Sequence, residues 1–230
     1  MKRTIITVGS RGYNIAIDII NAGLFPDSQI IICDTDESQL KSNAKKMSAE
    51  AVLLEKYPYD KIKVKYIYSV DEVTSRISPD VEEVIICSTL GGMTGSKYAP
   101  LIAMAEKLKG KTVCTLGSLP MTSEGKLANM RAAKAKMKLA VASDLIVLQY
   151  NESIQNIKGF TLLDMNKPLV EVMKSFLENH SIQDLSLSLS SSRYGLLPIE
   201  YQDYSNKYFF IRGCFSKGIT EADRVQVFDL

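Results

Sequence analysis

Two short glycine-bearing segments carry residue types suited to holding phosphate. They are Gly9-Ser10-Arg11-Gly12-Tyr13-Asn14 and Gly91-Gly92-Met93-Thr94-Gly95-Ser96. Each follows an apolar run and precedes a helical pattern. Free backbone N–H groups and the positive end of a helix dipole gather at such a junction and attract anions. Glycine lets the backbone turn with positive φ and approach a phosphate without a Cβ. Thr94 and Ser96 add hydroxyl donors where the second helix begins. Gly110-Lys111-Thr112 imitates the end of a P-loop, but Ala105 stands at the first motif glycine and a strand follows instead of preceding it. That segment reads as a helix-to-strand turn. A third feature is acidic: Glu200 and Asp203 lie three apart. On its own that pair reads as an exposed acidic turn. The one histidine, His180, has no ligand cluster beside it, so neither a zinc centre nor a histidine-based triad is expected.

Strands and helices that alternate must position these groups. Thr4–Val8 is a β-branched run ending at Gly9, and Tyr13–Ala22 has helical spacing (Ile15, Ile19, Ile20) up to Gly23. Gln29–Cys33 reads as a strand, then Asp34-Thr35-Asp36-Glu37 opens a helix running through Leu40 toward Leu53. Ile62–Tyr68 and Val81–Ser88 read as strands. A helix over Leu101–Leu108, a strand over Thr112–Leu116, an amphipathic helix over Leu127–Ala142 and a strand over Leu145–Tyr150 follow. Continuous apolar strands alternating with helices predict an α/β fold, a doubly wound, mostly parallel sheet with helices on both faces. Leu162–Leu177 would be a long helix, with Pro168 tolerable in its first turn or as a kink. The texture then changes: Ser186–Ser192 alternates Ser and Leu, and Lys207–Cys214 reads as a strand.

Taken alone, the first glycine turn fits a dinucleotide-binding unit equally well: strand, Gly-x-x-Gly, helix, and Asp34 after the next strand. A dinucleotide half-site needs only one phosphate loop, which leaves Gly91–Ser96 unexplained. That second segment resembles the tubulin/FtsZ signature GGGTG(S/T)G, with Met93 in place of one glycine and Lys97 in place of the last. Gly12-Tyr13-Asn14 resembles the Gly-Gly-Asn that ends the family's first loop, and Asp34-Thr35-Asp36 resembles its Asn-Thr-Asp. Pro120 with Glu124-Gly125-Lys126 is similar to the stretch whose Glu contacts ribose. Asn151-Glu152 is similar to the pair whose Asn contacts guanine, and Leu162-Leu163-Asp164 to the start of the central helix. The ordered matches cover about Thr4–Lys174. The resemblance implies GTP or GDP as ligand, admits Mg2+ with it, and assigns binding to Gly9, Gly12, Asn14, Asp34, Gly91, Gly92, Thr94, Gly95, Ser96, Glu124, Asn151 and Glu171. It also likens 195–203 to the Asn-x-Asp-x-x-Asp loop that completes a neighbour's site, with Pro198 for Asn, Glu200 for the first Asp and Asp203 retained.

Departures are equally plain. Ser10 and Arg11 intrude in the first loop, and Leu53–Val81, where a Gly/Ala-rich loop sensing the γ-phosphate belongs, holds no glycine. The family Arg after Glu-Gly-Lys falls on Ala128. The aromatic that packs on the base falls on Asn166, and the guanine-reading Asp on Glu171.

The 230 residues suit one full domain plus a fragment: 1–178 as a nucleotide-binding domain with its central helix, and 179–230 as a remnant of a second domain. Net charge is +2, which calls for neither nucleic acid nor an acidic membrane. Cys33, Cys87, Cys114 and Cys214 form no CxxC pair, and no apolar run approaches the ~20 residues of a membrane helix. A cytoplasmic protein is expected. Three readings follow: a self-assembling GTPase, a non-hydrolysing nucleotide binder that joins or caps an FtsZ-like filament, and an NAD(P)-dependent enzyme. The last lacks a Tyr-x-x-x-Lys or His constellation.

Overall fold

Strands rich in Ile and Val, apolar on both faces, require helices above and below them. The computed structural model describes residues 2–56, 64–154, 161, 165–177, 200–202 and 208–212. Six strands run parallel: β1 (Arg3–Val8), β2 (Gln29–Asp34), β3 (Glu50–Leu53), β4 (Glu83–Thr89), β5 (Thr112–Leu119) and β6 (Leu145–Tyr150). Two more, β7 (Glu200–Gln202) and β8 (Tyr208–Arg212), extend the sheet antiparallel beyond β6. The order is β3-β2-β1-β4-β5-β6-β8-β7.

Side chains alternate between the layers with the period of two that a strand imposes. Ile6, Val8, Val84 and Ile86 pack on one side with α3 (Val64–Ser75), α4 (Met93–Leu108) and α5 (Lys126–Ala142). Ile5, Ile85 and Cys87 pack on the other with α1 (Ser10–Asn21) and α7 (Lys167–Leu177). Between β2 and β3 lies α2 (Glu37–Met47), and the short α6 (Asn151–Ile154) follows β6. α1 ends in a Schellman pattern: Gly23 (φ 75°) donates to the Ile20 carbonyl at 2.9 Å and Leu24 to the Ile19 carbonyl at 3.1 Å.

Four expectations change. The helix after Asp36 stops at Met47, where Ser48 turns left-handed at φ 50°, and 50–53 becomes the edge strand β3. The strand expected at Ile62–Tyr68 is helical from Val64 onward, while Ile62 and Lys63 lie outside the described residues. The alternation Lys-Ile-Lys-Val-Lys-Tyr misled there. With β3 at the edge, a parallel return to β4 needs a crossover helix, and Val70 and Val73 are buried on it at helical spacing. The helix expected over Leu101–Leu108 begins at Met93, directly on the second glycine turn, and carries Pro100 inside it. The long helix expected from Leu162 begins at Lys167, which puts Pro168 in its first turn; 162–164 lie outside the described residues. Gly110 is a turn as expected, with φ 80°.

Candidate functional site

β1 and β4 are hydrogen-bonded neighbours, yet the helices that follow them leave on opposite faces, α1 to one layer and α4 to the other. This is the point in a doubly wound sheet where a crevice opens beyond the carboxyl ends of the strands. Both glycine turns border it. Gly9, with φ 79° and ψ 162°, caps α1 and donates to the Cys33 carbonyl at 2.8 Å. A Cβ on Gly9 would lie 3.6 Å from Thr94 Cβ, so the two turns are in contact across the crevice.

Neither helix at this point is capped by a side chain, and neither has an acidic residue in its first turn. α2 differs: Asp36 accepts from Ser38 Oγ at 2.7 Å, Gln39 N at 3.1 Å and Ser38 N at 3.0 Å, and the Ser38 hydroxyl first, then the Gln39 N–H, hold its carboxyl below the usual range. The N-cap glycines of α1 and α4 thus give no side-chain acceptor of the kind Asp36 gives α2, and a helix start of that kind is where an external anion can bind.

Hydroxyl groups tie the rim together. Ser10 Oγ donates to Asp34 Oδ2 at 2.8 Å, and Asp34 Oδ1 accepts from Thr35 N (2.7 Å) and Asp36 N (3.2 Å). Thr35 Oγ1 and Thr94 Oγ1 share a hydrogen bond of 2.9 Å. Ser96 Oγ donates to the Gly92 carbonyl at 2.6 Å, closing the first turn of α4. Gly92 is exposed and would accept a Cβ, whose nearest neighbour is Thr89 Oγ1 at 3.9 Å. Gly12 and Gly95 are buried against β4: a Cβ would lie 2.3 Å from the carbonyl oxygens of Cys87 and Thr89 respectively. They allow α1 and α4 to seat on the sheet. Asn14 is exposed on α1.

The other candidates are distributed around this crevice. A single 3-10 turn, Thr122–Glu124, presents Glu124, whose carboxylate accepts from Met121 N at 3.0 Å and pairs with Arg11 at 3.2 Å. That ion pair bridges α1 to the segment after β5. Asn151 is buried at the end of β6, and its Oδ1 accepts from Gln149 Nε2 at 3.2 Å. Gln149 also donates to the Met165 carbonyl at 2.5 Å, which ties β6 to the turn before α7. Asn166 donates to Asp18 of α1 at 2.9 Å, so its amide is engaged with that helix. Glu171 stands on the exposed face of α7. Glu200 is in β7 opposite Ile211. Asp203 lies outside the described residues.

A cavity of about 480 Å³ opens at the carboxyl ends of β2 and β3, lined by Thr35, Ser69, Glu37, Glu55 and Glu72 with, among the described residues, Lys56 as its one cation. Its three carboxylates disfavour phosphate, so despite its size it is not the anion cradle. Lys97, where the signature has glycine, has its amine pushed down to about 7 by burial and then by the charge of Lys138. Burial pushes the Cys87 thiol up to about 12 and raises those of Cys33 and Cys114, which leaves these buried thiols inert as nucleophiles. Among the described residues no group of His, Cys, Asp and Glu could hold a metal ion, and no helix is long and apolar enough to cross a membrane.

The strand order up to β6 is shared with dinucleotide-binding folds, so topology alone does not decide the ligand. The family model described as Tubulin/FtsZ family, GTPase domain, matches residues 3–159, more than half of the chain. The chain belongs to the tubulin/FtsZ family. The cell division protein FtsZ of Helicobacter pylori is 27% identical over 162 residues, covering 66% of this chain and 41% of that protein. FtsZ of Aquifex aeolicus is 34% identical over 83 residues, 36% of this chain and 23% of that one. Among solved structures, an empty FtsZ dimer of M. jannaschii superposes with TM-score 0.58 at 22% identity, covering 89% of this chain and 58% of that chain. CetZ2 from Haloferax volcanii, a protofilament with GTPγS bound, gives 0.56 at 22%, covering 83% and 59%. These structural likenesses establish the shared fold, and the chain spans well under two thirds of the relatives it matches. As a tubulin/FtsZ GTPase domain, it has the family's six-stranded parallel sheet.

The sequence did not signal several contacts of this tubulin/FtsZ site. Arg131 of α5 donates from Nε to the Gly91 carbonyl at 3.0 Å, and nothing in the local pattern of α5 singles it out. The Thr35–Thr94 pair joins residues 59 apart. Arg11 meeting Glu124 was hidden because the two lie 113 residues apart.

Proposed function

We propose that this tubulin/FtsZ domain binds a guanine nucleotide in the crevice between the Gly9 and Gly91–Ser96 turns. The observation that carries this reading is the pairing of two helix N-termini across the strand-order switch, each without a side-chain cap. The phosphates would lie on the N–H groups of Gly92, Thr94 and Gly95 and on the turn after Gly9, with Thr94 and Ser96 hydroxyls at the rim; the Ser96 N–H itself closes the first turn on the Gly92 carbonyl. Arg11 would neutralise phosphate charge, and Glu124 would accept from the ribose. Asn151 and Glu171 would read guanine: a carboxylate accepts from N1–H and N2–H₂, and an amide oxygen keeps a second lone pair beside the one engaged by Gln149. Residues 1–178 form the binding unit in this reading and 179–230 part of a second one. Assembly with copies of itself or with an FtsZ-like filament, and slow hydrolysis completed in trans by Glu200 and Asp203, complete the proposal.

Isothermal calorimetry of GDP against ADP tests it. GDP should bind more tightly, because each unpaired buried donor costs roughly 1–3 kcal/mol. Glu171→Ala should weaken GDP and leave ADP unchanged. Equal affinities for the two nucleotides would remove the guanine assignment.

A further inference from the structure

The 17 residues of α5 include Lys126, Arg131, Lys134, Lys136 and Lys138 and no Asp or Glu, although the whole chain carries only +2. Its inner side is built of small residues, Ala128, Ala132, Ala135 and Ala142 with Leu139, which seat it flat on the α4 layer. Its outer side is unusual for a solvated helix. Leu127, Met130 and Met137 are 68%, 47% and 63% exposed, three of the five large exposed apolar side chains among the described residues. At 3.6 residues per turn, Leu127, Met130, Met137 and Val141 share one side with Lys134, and Arg131 and Lys138 flank them. Acidic groups at either end are engaged elsewhere. Glu124 pairs with Arg11, Glu152 accepts from Thr122 N, and Asp144 pairs with Lys107. Lys97 of α4 lies within reach of this charge. Burial and then the charge of Lys138 lower its pKa, and burial and then Lys134 lower that of Lys138.

We propose that the outer face of α5 docks on an anionic lipid surface. Leu and Met side chains projecting into solvent beside Lys126 and Lys134, on a helix whose other face is packed on the protein, can enter a headgroup layer while the lysines meet its charge. Juxtaposed basic side chains add attraction to anionic headgroups that decays within a Debye length. An acidic protein partner is disfavoured because four of the five cations are Lys, a residue depleted at protein interfaces where Arg is enriched. Arg131 at its flank reaches the Gly91 carbonyl at 3.0 Å, but the exposed Leu, Met and Lys side chains of this surface lie outside the crevice and the proposal does not depend on the nucleotide reading.

Flotation of the full chain with vesicles made of equal parts phosphatidylserine and phosphatidylcholine tests the docking. The chain should float with these vesicles, stay behind with pure phosphatidylcholine, and be released at about 0.5 M salt. Lys134→Glu/Lys138→Glu and, separately, Met130→Ser/Met137→Ser should each cut the partition by about tenfold or more, with circular dichroism unchanged. Equal flotation with neutral vesicles, or full binding by the charge-reversed variant, would overturn the proposal. Retention on immobilised polyglutamate without vesicle binding would also overturn it, in favour of an acidic protein partner.

Discussion

At the scale of single residues, the two glycine turns divide their work in a way that residue type alone does not reveal. Gly95 sits with its Cα against the β4 backbone, so an added Cβ meets the Thr89 carbonyl at 2.3 Å, whereas at Gly92 the space is open. A side chain at Gly95 would force helix α4 to lift from the sheet. Gly95→Ala should therefore lower stability by about 1–3 kcal/mol, seen as an earlier urea midpoint. Gly92→Ala should melt like the parent and weaken nucleotide binding. Equal stability of the two variants would show that α4 seats without strain. Arg11 supplies the second test at this scale. Its guanidinium lies on the first turn of α1 and pairs with exposed Glu124, an exposed pair worth little by itself. Arg11→Ala should leave melting within about 0.5 kcal/mol of the parent. If the guanidinium faces phosphate, GTP affinity should fall more than guanosine affinity. A uniform loss for both ligands would assign Arg11 to holding Glu124 alone.

At the scale of elements, the contact between α4 and α5 stores a pH response. Lys97, half-buried, has its pKa lowered to about 7 by burial and by Lys138. An unfolded lysine titrates near 10.4, so the charged form is disfavoured in the fold. This cost is fully present below pH 7 and is relieved as pH rises from about 7 toward 10. Urea unfolding of the parent should therefore gain stability relative to Lys97→Met across that interval. Parallel pH profiles for the two proteins would refute the burial argument. The same elements show what a sequence discloses and what it hides. β1, β2, β4, β5 and β6 were legible because each is a short run dominated by apolar and β-branched residues and bounded by turn residues, the pattern of a strand buried on both faces. β3 and α3 were misread because Glu50–Leu53 is a four-residue edge strand and Lys61–Tyr66 alternates like one. Only the crossover requirement, a property of the whole sheet, reverses that local signal. At the site, glycines and acidic residues were legible by type, while Arg131 on Gly91 and Thr35 on Thr94 were not, since those contacts depend on which helices the sheet brings together.

At the scale of the whole molecule, the proposed cradle and the proposed in-trans loop make separable contributions. Binding and turnover rest on different groups. Ground-state affinity would come from the uncapped first turns of α1 and α4 and the base-reading side chains. Hydrolysis would depend on groups that orient water in the transition state, and losing these costs orders of magnitude in rate with little change in binding. In this sequence Pro198 stands where the water-positioning loop has Asn, and no glycine occurs between Leu53 and Val81. Nucleotide binding should then be readily measured while turnover is slow. If Glu200 and Asp203 act on a neighbour's site, each site is incomplete in a lone subunit. GTPase rate should rise more steeply than linearly with protein concentration, in step with light scattering. Glu200→Ala/Asp203→Ala should abolish that rise while GDP affinity stays at the parent value. A rate strictly proportional to concentration and untouched by the double variant would end the in-trans mechanism. Absence of any turnover, with GDP still bound, would assign the chain to the binding-only role on a partner filament.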